Sequence, residues 1–183
     1  MSATTRTTRW ALLLGAVALV AAACSGGPAE SNAPETDSTP PLAASSGEPA
    51  PTTAFLRFDG TDATFADYAG RPLVVNFWAS WCPSCVAELS AAFRPVQEAL
   101  GDEVAFLGLN IQDERDKAVE LITETMVLFD LAEDPQGDLY VELGGLGMPF
   151  TVFIAANGEV VERHNGPLTE QQLLDKIDEV LLG

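Results

Sequence analysis

A continuous apolar run followed by two closely spaced cysteines restricts the possible folds of this chain more than any other feature. Residues 73–79 read LVVNFWA, a pattern typical of a strand buried on both faces of a sheet. Cys82 and Cys85 follow within the motif WCPSC, and a helical pattern begins at Pro83. A buried strand that leads through a short turn into a helix is a unit of α/β proteins, whose chemistry lies at the carboxyl ends of the strands.

The chain beyond residue 53 continues to alternate strands and helices. We predict a helix over residues 83–100, kinked by Pro95, and a second buried strand over 104–110. Right-handed crossovers make the two buried strands parallel neighbours. The other predicted elements are an edge strand at 54–58, a helical turn at 63–69, helices at 114–123 and 137–143, a short strand at 127–129, a hairpin of 151–155 with 160–165, and a closing helix at 169–182. The predicted fold class is α/β, with helices on both faces of a mixed sheet and a C-terminal β-hairpin plus helix.

The first 52 residues have the composition of an export signal and a linker. Residues 1–23 combine a short basic start with an uncharged run that is shorter than the about 20 apolar residues of a membrane-spanning helix, so we predict a signal peptide. Residues 24–52 are rich in proline, serine and alanine and contain no aromatic residue. Such a segment cannot bury a core, so we predict a disordered tether ahead of a domain at 53–183.

Cys24 follows small residues at the end of the hydrophobic run. The stretch VAAAC resembles the lipobox of bacterial lipoproteins, in which the cysteine is acylated and becomes the new N-terminus, although Ala21 stands where leucine is usual. The resemblance implies lipidation at Cys24 and a protein anchored on the extracytoplasmic face of the cell membrane. Secretion after cleavage at an Ala-x-Ala site, without a lipid, is the alternative.

Charge and composition argue against two classes of function. Nine basic and 27 acidic residues give a formal net charge of −18, so the chain repels phosphate backbones and we expect no nucleic-acid binding. A single histidine and three cysteines leave no cluster with the spacing of zinc ligands, so we expect no metal site.

The motif WCPSC carries the predicted chemistry. Two cysteines three residues apart at a helix start can close a small disulfide, and Cys82 faces the unpaired N–H groups and positive end of the helix dipole. Both features favour the thiolate of Cys82, the nucleophile in disulfide exchange. Pro83 fits the first helical turn, where its missing N–H costs nothing. The alternatives are a stabilising disulfide, whose short loop gains little entropy, and a zinc half-site, which lacks a second ligand pair.

Residues 53–183 resemble the thioredoxin superfamily, and within it the membrane-tethered TlpA/ResA-like thiol-disulfide oxidoreductases. The matching pieces are NFWASWCPSC at 76–85, Glu88, DPQGDLYVELGGLGMP at 134–149, the TVFIAANGEVV hairpin and the GPLTEQQLLDKI ending. The resemblance implies that Pro149, preceded by Met148, is a cis-proline that faces the disulfide and presents the backbone beside it to a partner. It also implies that Trp81 and Pro83 border this partner-binding surface.

Glu88 lies one helical turn after Cys85, so the two residues share a helix face. Similar proteins carry a glutamate here in the active-site cavity, and a partly desolvated carboxyl could take the proton of Cys85 as this residue attacks a mixed disulfide. Asn76 stands where ordinary thioredoxins carry a buried acid, and an amide cannot relay a proton in that way. We therefore predict a catalytic role for Glu88 together with Cys82 and Cys85; a solvated helix glutamate is the alternative.

The resemblance implies an exported thiol-disulfide oxidoreductase that needs no bound cofactor, because the Cys82–Cys85 pair itself carries two electrons. TlpA/ResA-like proteins mostly reduce, for example the haem-binding cysteines of apocytochrome c with electrons from a CcdA-type membrane donor, so a reductase is favoured. An oxidant of secreted protein thiols is the main alternative. Two further alternatives are a thioredoxin-fold peroxidase, which would need a threonine where Ala79 stands, and a non-catalytic binding lipoprotein.

Overall fold

The computed structural model describes residues 47–183, which form an eight-stranded mixed sheet with the order β1-β8-β7-β4-β5-β6-β2-β3. The predicted signal peptide at 1–23, Cys24 and the predicted tether up to residue 46 lie outside the described residues. The strands are β1 (Glu48–Pro49), β2 (Phe55–Arg57), β3 (Asp62–Ala63), β4 (Leu73–Trp78), β5 (Ala105–Ile111), β6 (Asp130–Asp134), β7 (Phe150–Ile154) and β8 (Glu159–Asn165). The helices are α1 (Pro83–Glu88), α2 (Arg94–Leu100), α3 (Arg115–Thr125), α4 (Asp138–Glu142) and α5 (Glu170–Ile177), with a 3-10 turn at Phe65–Tyr68 and π-helical turns at Leu89–Phe93 and Asp178–Leu182.

The middle of the sheet confirms the fold class predicted from the sequence. β4 pairs in parallel with β5, and β7 pairs antiparallel with β4 and with β8, so the sheet is mixed and carries the predicted hairpin. α5 then closes the chain, and Thr169 begins it as an N-cap whose side chain accepts a hydrogen bond from the Gln172 N–H.

The sheet separates two apolar layers because successive side chains of a strand point to opposite faces. One layer packs under the 3-10 turn and α4, and the other packs under α1, α2, α3 and α5, so helices cover both faces as predicted. Members of the first layer include Val75, Phe77, Phe65 and Leu139, and members of the second include Val74, Trp78, Cys82 and Cys85. The two cysteines are therefore part of the core on the α1 side.

Strand pairing with β8 occurs before Thr53, within the segment predicted as a tether. Glu48 and Pro49 form β1, which pairs antiparallel with Val160 and Glu159 of β8, and the Ala50 N–H donates to the Gly158 carbonyl at 2.9 Å. Backbone pairing of this kind needs no apolar side chain, and proline is tolerated on an edge strand. The composition of the segment therefore gave no sign that its end joins the sheet.

Two other strand predictions are wrong, one in its residue range and the other in its place in the sheet. The strand predicted at 127–129 lies instead at Asp130–Asp134, where it pairs in parallel with β5. This acidic segment lacks an apolar pattern, and it becomes a strand because β5 and β2 satisfy its backbone groups from both sides. The second error concerns β2, which is not an edge strand, because β3 pairs with it and takes the edge.

The predicted helix at 83–100 is present but divided. A π-helical turn at Leu89–Phe93 separates α1 from α2, and it ends two residues before Pro95. Proline lacks an N–H and clashes with the carbonyl four residues earlier, so a wider turn accommodates it. At the place of the predicted kink, the helix widens locally in the stretch between Cys85 and Pro95.

Candidate active site

The two cysteines lie at the junction of the central strand and the first helix. β4 ends at Trp78, and Cys82 is the N-cap of α1. Cys82 and Cys85 form a disulfide, and the Cys85 N–H donates to Cys82 Sγ at 3.2 Å. Because Cys82 is 5% exposed while Cys85 is fully buried, a partner approaching from solvent can reach only the Cys82 sulfur.

The start of α1 stabilises negative charge on the accessible sulfur. The Cys85 N–H already points at Cys82 Sγ, and the hydroxyl oxygen of Ser84 lies 3.4 Å from the same sulfur. Unpaired N–H groups and the helix dipole add a positive potential at this end of the helix. A thiolate released at Cys82 is therefore stabilised where the sequence predicts the nucleophile.

The peptide bond between Met148 and Pro149 is cis, as the family resemblance implies. Pro149 directly precedes β7, and Phe150 at the start of β7 pairs with Phe77 near the end of β4. The cis-proline therefore lies at the same edge of the sheet as the turn that leads from β4 to Cys82.

An exposed apolar rim borders this edge. The side chain of Trp81 is 54% exposed, and its indole N–H donates to the Gln112 carbonyl at 3.0 Å. Trp81 and Met148 line one open cavity of about 270 Å³ together with Val141 of α4. The structure thus brings together two of the residues predicted to contact a partner. Pro83, a third predicted contact residue, is exposed in the first turn of α1.

Glu88 is buried one helical turn after Cys85, so the solvated-glutamate alternative is wrong. Its side chain is 3% exposed, and its two carboxylate oxygens accept hydrogen bonds from the Leu168 N–H at 2.6 Å and from Asn76 Nδ2 at 3.2 Å. Burial raises the pKa of Glu88 to about 7, although both hydrogen bonds work in the opposite direction. In the disulfide form, Glu88 accepts its hydrogen bonds from Asn76 and Leu168, and none of them involves Cys85. Glu88 can therefore hold or release a proton near neutral pH on the helix face that carries Cys85.

Sequence reasoning missed Asp113, which lies in the loop between β5 and α3. Its carboxylate accepts hydrogen bonds from both the backbone N–H and the hydroxyl of Ser80, two residues before Cys82. The only signal in the sequence is an acidic residue soon after a predicted buried strand, a position where open α/β sheets place functional groups. That signal does not reveal which turn the carboxylate contacts.

These features define what the site can do chemically. An accessible sulfur, a buried partner sulfur and a carboxyl that titrates near pH 7 can exchange two electrons and a proton with a dithiol or disulfide. Within residues 47–183, no three His, Cys, Asp or Glu side chains are grouped so that they could hold a metal ion. No helix in this part of the chain has the length and apolar character needed to cross a bilayer.

Comparisons with known proteins agree with this chemistry. The Redoxin family matches residues 45–181. The thiol:disulfide interchange protein DsbE of Vibrio cholerae is 37% identical over 106 residues, which cover 57% of this chain and 55% of that protein. The thiol:disulfide interchange protein HelX of Rhodobacter capsulatus is 34% identical over 124 residues, which cover 67% of each chain. The chain thus spans little more than half the length of the Vibrio relative.

A solved structure confirms the thioredoxin-like fold. The crystal structure of a thiol:disulfide interchange protein of the thioredoxin family from Chlorobium tepidum superposes with a TM-score of 0.64 at 24% identity. The match covers 75% of this chain and 97% of that one. At this identity the likeness concerns the fold alone.

Proposed function

We propose that this chain, which belongs to the Redoxin family within the thioredoxin superfamily, is a thiol-disulfide oxidoreductase that acts on proteins outside the cytoplasm. The observation that carries the proposal is the Cys82–Cys85 disulfide at the start of α1, with one reachable sulfur and the cis Met148–Pro149 bond at the same sheet edge. A merely stabilising disulfide would need neither an apolar rim nor a buried carboxyl one helical turn after it.

The proposed reaction balances without a bound cofactor. In the reduced protein, the Cys82 thiolate attacks one sulfur of a partner disulfide, which forms a mixed disulfide and releases the other partner sulfur as a thiolate. Cys85 then loses its proton, for which Glu88 is the proposed acceptor, and attacks Cys82 Sγ. The Cys82–Cys85 bond forms, the second partner thiolate leaves, and two electrons have passed to the partner.

The proposed direction is reduction. By the family resemblance, the substrate would be oxidised protein thiols such as the haem-binding cysteines of apocytochrome c, and a CcdA-type membrane dithiol would return the electrons. Support for reduction comes from Asp113, whose carboxylate accepts two hydrogen bonds from Ser80 in the turn before Cys82, because negative charge near a thiolate disfavours it and makes the dithiol a stronger reductant. Oxidation of secreted thiols is the competing direction.

The reduction potential of the Cys82–Cys85 pair tests the direction. Equilibration in dithiothreitol or glutathione buffers should give a value near or below about −250 mV for a reductant, whereas a value near −120 mV would assign the protein to the oxidants. Peroxide consumption without any added protein dithiol would instead favour a peroxidase.

Variants of the two cysteines test the activity itself. Cys82→Ser should abolish insulin reduction, and Cys85→Ser should accumulate mixed disulfides with partner proteins because nothing resolves them. These adducts should run as slower bands on non-reducing gels and disappear in the double variant. A Cys85→Ser protein that forms no adducts in the cell envelope would contradict disulfide exchange with proteins.

The proposed location rests on residues 1–46. We propose that the signal peptide directs export, that Cys24 is lipidated, and that the tether holds the domain away from the membrane surface. Cys24→Ala should move the protein from the membrane fraction to the soluble fraction. A Cys24→Ala protein that stays in the membrane fraction would contradict the lipid anchor.

A further inference from the structure

Asp113 is the most heavily hydrogen-bonded carboxylate near the disulfide motif. Its oxygens accept from the Ser80 N–H at 2.5 Å, the Ser80 hydroxyl at 2.6 Å, Asn110 Nδ2 at 2.9 Å and the Glu114 N–H at 2.8 Å. A surface carboxylate that served solubility alone would not collect four donors, two of which belong to Ser80 in the turn that follows β4. The contacts join the loop after β5 to the turn between β4 and α1.

The hydrogen bonds keep this carboxylate ionised. Partial burial works to raise the pKa of Asp113, but the hydrogen bonds from Asn110, Ser80 and Glu114 together outweigh burial and leave the pKa below its ordinary value. The group is therefore a fixed negative charge across the neutral pH range.

The end of β5 and the loop after it hold the turn at two further points. Asn110 Nδ2 donates to the Trp78 carbonyl at 3.4 Å, and the Gln112 carbonyl accepts from the Trp81 indole at 3.0 Å. Gln112 has a φ of 45°, a left-handed conformation that is unfavourable for a residue other than glycine. A loop that keeps such a conformation must be held by its contacts, which for Gln112 are the bond from Trp81 and a bond from its own Nε2 to the Gln136 carbonyl at 3.2 Å.

Asp113 bonds to a residue two positions before Cys82 in the chain. Ser80 and Cys82 are separated by two peptide links, so their Cα atoms are at most about 7.6 Å apart. The Cys82 N–H also donates to the Ala79 carbonyl at 3.1 Å, which closes the turn around Ser80. Because Cys82 is buried, an ion bonded to this turn acts on its thiolate through a medium less polar than bulk water.

We propose that Asp113 is a positioning residue of the exchange site: its carboxylate fixes the turn that presents Cys82 and keeps a permanent negative charge on that turn. The charge disfavours the Cys82 thiolate and so strengthens the pair as a reductant, while the hydrogen bonds keep the sulfur at the start of α1. This inference rests on the proposed function, whose direction it deepens.

Other titratable and charged groups near the disulfide motif set the controls. Glu88 is buried at the end of α1, Glu114 follows Asp113, and the α1 dipole opposes negative charge at the start of the helix. Asp116, in the first turn of α3, carries the same charge only three residues after Asp113 and is exposed. Asp116→Asn therefore removes an equal charge without touching Ser80.

The test is the pH profile of Cys82 alkylation in the reduced full-length protein. Iodoacetamide modification at Cys82, followed by peptide mass spectrometry, reports the midpoint of thiolate formation without any partner protein. Asp113→Asn should lower this midpoint by about half a pH unit, roughly a threefold gain in thiolate below the midpoint, because a nearby negative charge is lost. Asp116→Asn should leave it unchanged.

Each other outcome counts against the proposal. An unchanged midpoint in Asp113→Asn, an increase, or an equal decrease in both variants would overturn the proposal and leave Asp113 with a structural role at most. If Asp113→Asn does not fold, Ser80→Ala tests the proposal instead. This variant removes one hydrogen-bond donor from the Asp113 carboxylate, whose charge is then less neutralised, so the midpoint of thiolate formation should rise by about 0.3 unit. An unchanged or lower midpoint in Ser80→Ala would then overturn the proposal.

This alkylation readout is independent of the proposed function. If the wild-type protein fails to reduce insulin while the alkylation midpoints shift as expected, the proposed function fails and the role of Asp113 in tuning Cys82 stands. If insulin is reduced and the midpoints do not shift, the positioning role fails alone.

Discussion

Two carboxyl groups belong to the surroundings of the same disulfide motif, and their environments are opposite. Glu88 is buried one helical turn after Cys85 with two hydrogen-bond donors, and burial raises its pKa to about 7. Asp113 is half-buried in the loop after β5 with four donors, and its pKa lies below the ordinary value. The balance between desolvation and the number of donors decides which carboxyl holds a proton and which holds a charge.

This difference in pKa suits the two carboxyl groups, Glu88 and Asp113, to different tasks. A carboxyl that titrates near pH 7 can accept a proton during each exchange cycle, as proposed for Glu88. A permanently ionised carboxylate cannot do so, but it can fix a turn and bias the charge on a nearby sulfur, as proposed for Asp113. Substitutions at each carboxyl group test this division.

Removing the titrating carboxyl of Glu88 should have the largest effect. Glu88→Gln keeps an acceptor for the Leu168 N–H but cannot take a proton, so we expect Cys85 to resolve mixed disulfides about 100-fold more slowly at pH 7. Stopped-flow measurement of mixed-disulfide decay against pH checks this rate. Glu124→Gln, an exposed glutamate on α3, should leave the rate unchanged.

The same variant should change the pH dependence of stability. Between about pH 4.5 and 7 the folded protein holds a proton on Glu88 that the unfolded chain has lost, so this group makes the free energy of unfolding fall as pH rises, by about 3 kcal/mol in total. Urea titrations should show wild type losing more stability than Glu88→Gln over this window. Equal losses in both proteins would contradict a raised pKa.

Removing the ionised carboxylate of Asp113 should lower the free energy of unfolding and should not slow proton transfer. Asp113→Ala leaves the donors of Ser80 and Asn110 without their acceptor, so we expect the free energy of unfolding to fall by about 2 kcal/mol at pH 7. Because the folded pKa is lowered, the stabilisation is complete above about pH 3.8 and is lost as pH falls through the folded pKa.

Urea unfolding at pH 7 and at pH 3 checks this prediction. The difference between Asp113→Ala and wild type should shrink at the lower pH, whereas Asp116→Ala should differ little from wild type at either pH. A constant difference for Asp113→Ala would mean that packing rather than the charge provides the stabilisation.

The smallest effect is expected from Asn76, which only adjusts the pKa of Glu88 through one hydrogen bond. Asn76→Ala removes a donor to the charged form of Glu88, so the Glu88 pKa should rise above about 7 by no more than about one unit. A carbon-13 NMR titration of the Glu88 carboxyl measures it. Thr151→Val removes the other acceptor of Asn76 and should leave the Glu88 pKa where it is.

The parts of the fold with apolar patterns were predictable, and those without them were not. β4 and β5 are continuous buried runs, and the hairpin of β7 and β8 has an Asn-Gly turn, so local sequence specifies each of them. β1 and β6 carry proline or acidic residues and became strands because neighbouring strands offered backbone partners. Such pairing depends on residues more than a hundred positions away in the case of β1.

The sequence by itself determined the reactive centre of this protein. The spacing of Cys82 and Cys85, their place between a buried strand and a helix, and Pro83 in the first turn are local features, and local geometry is enough to form the disulfide. Only the tertiary structure decided which nearby carboxyl group can hold a proton near neutral pH and which stays ionised. Burial and donors from Asn76 and Leu168 set the state of Glu88, and the loop after β5 brings Asp113 to Ser80, because desolvation and hydrogen bonding depend on which distant segments the fold brings together.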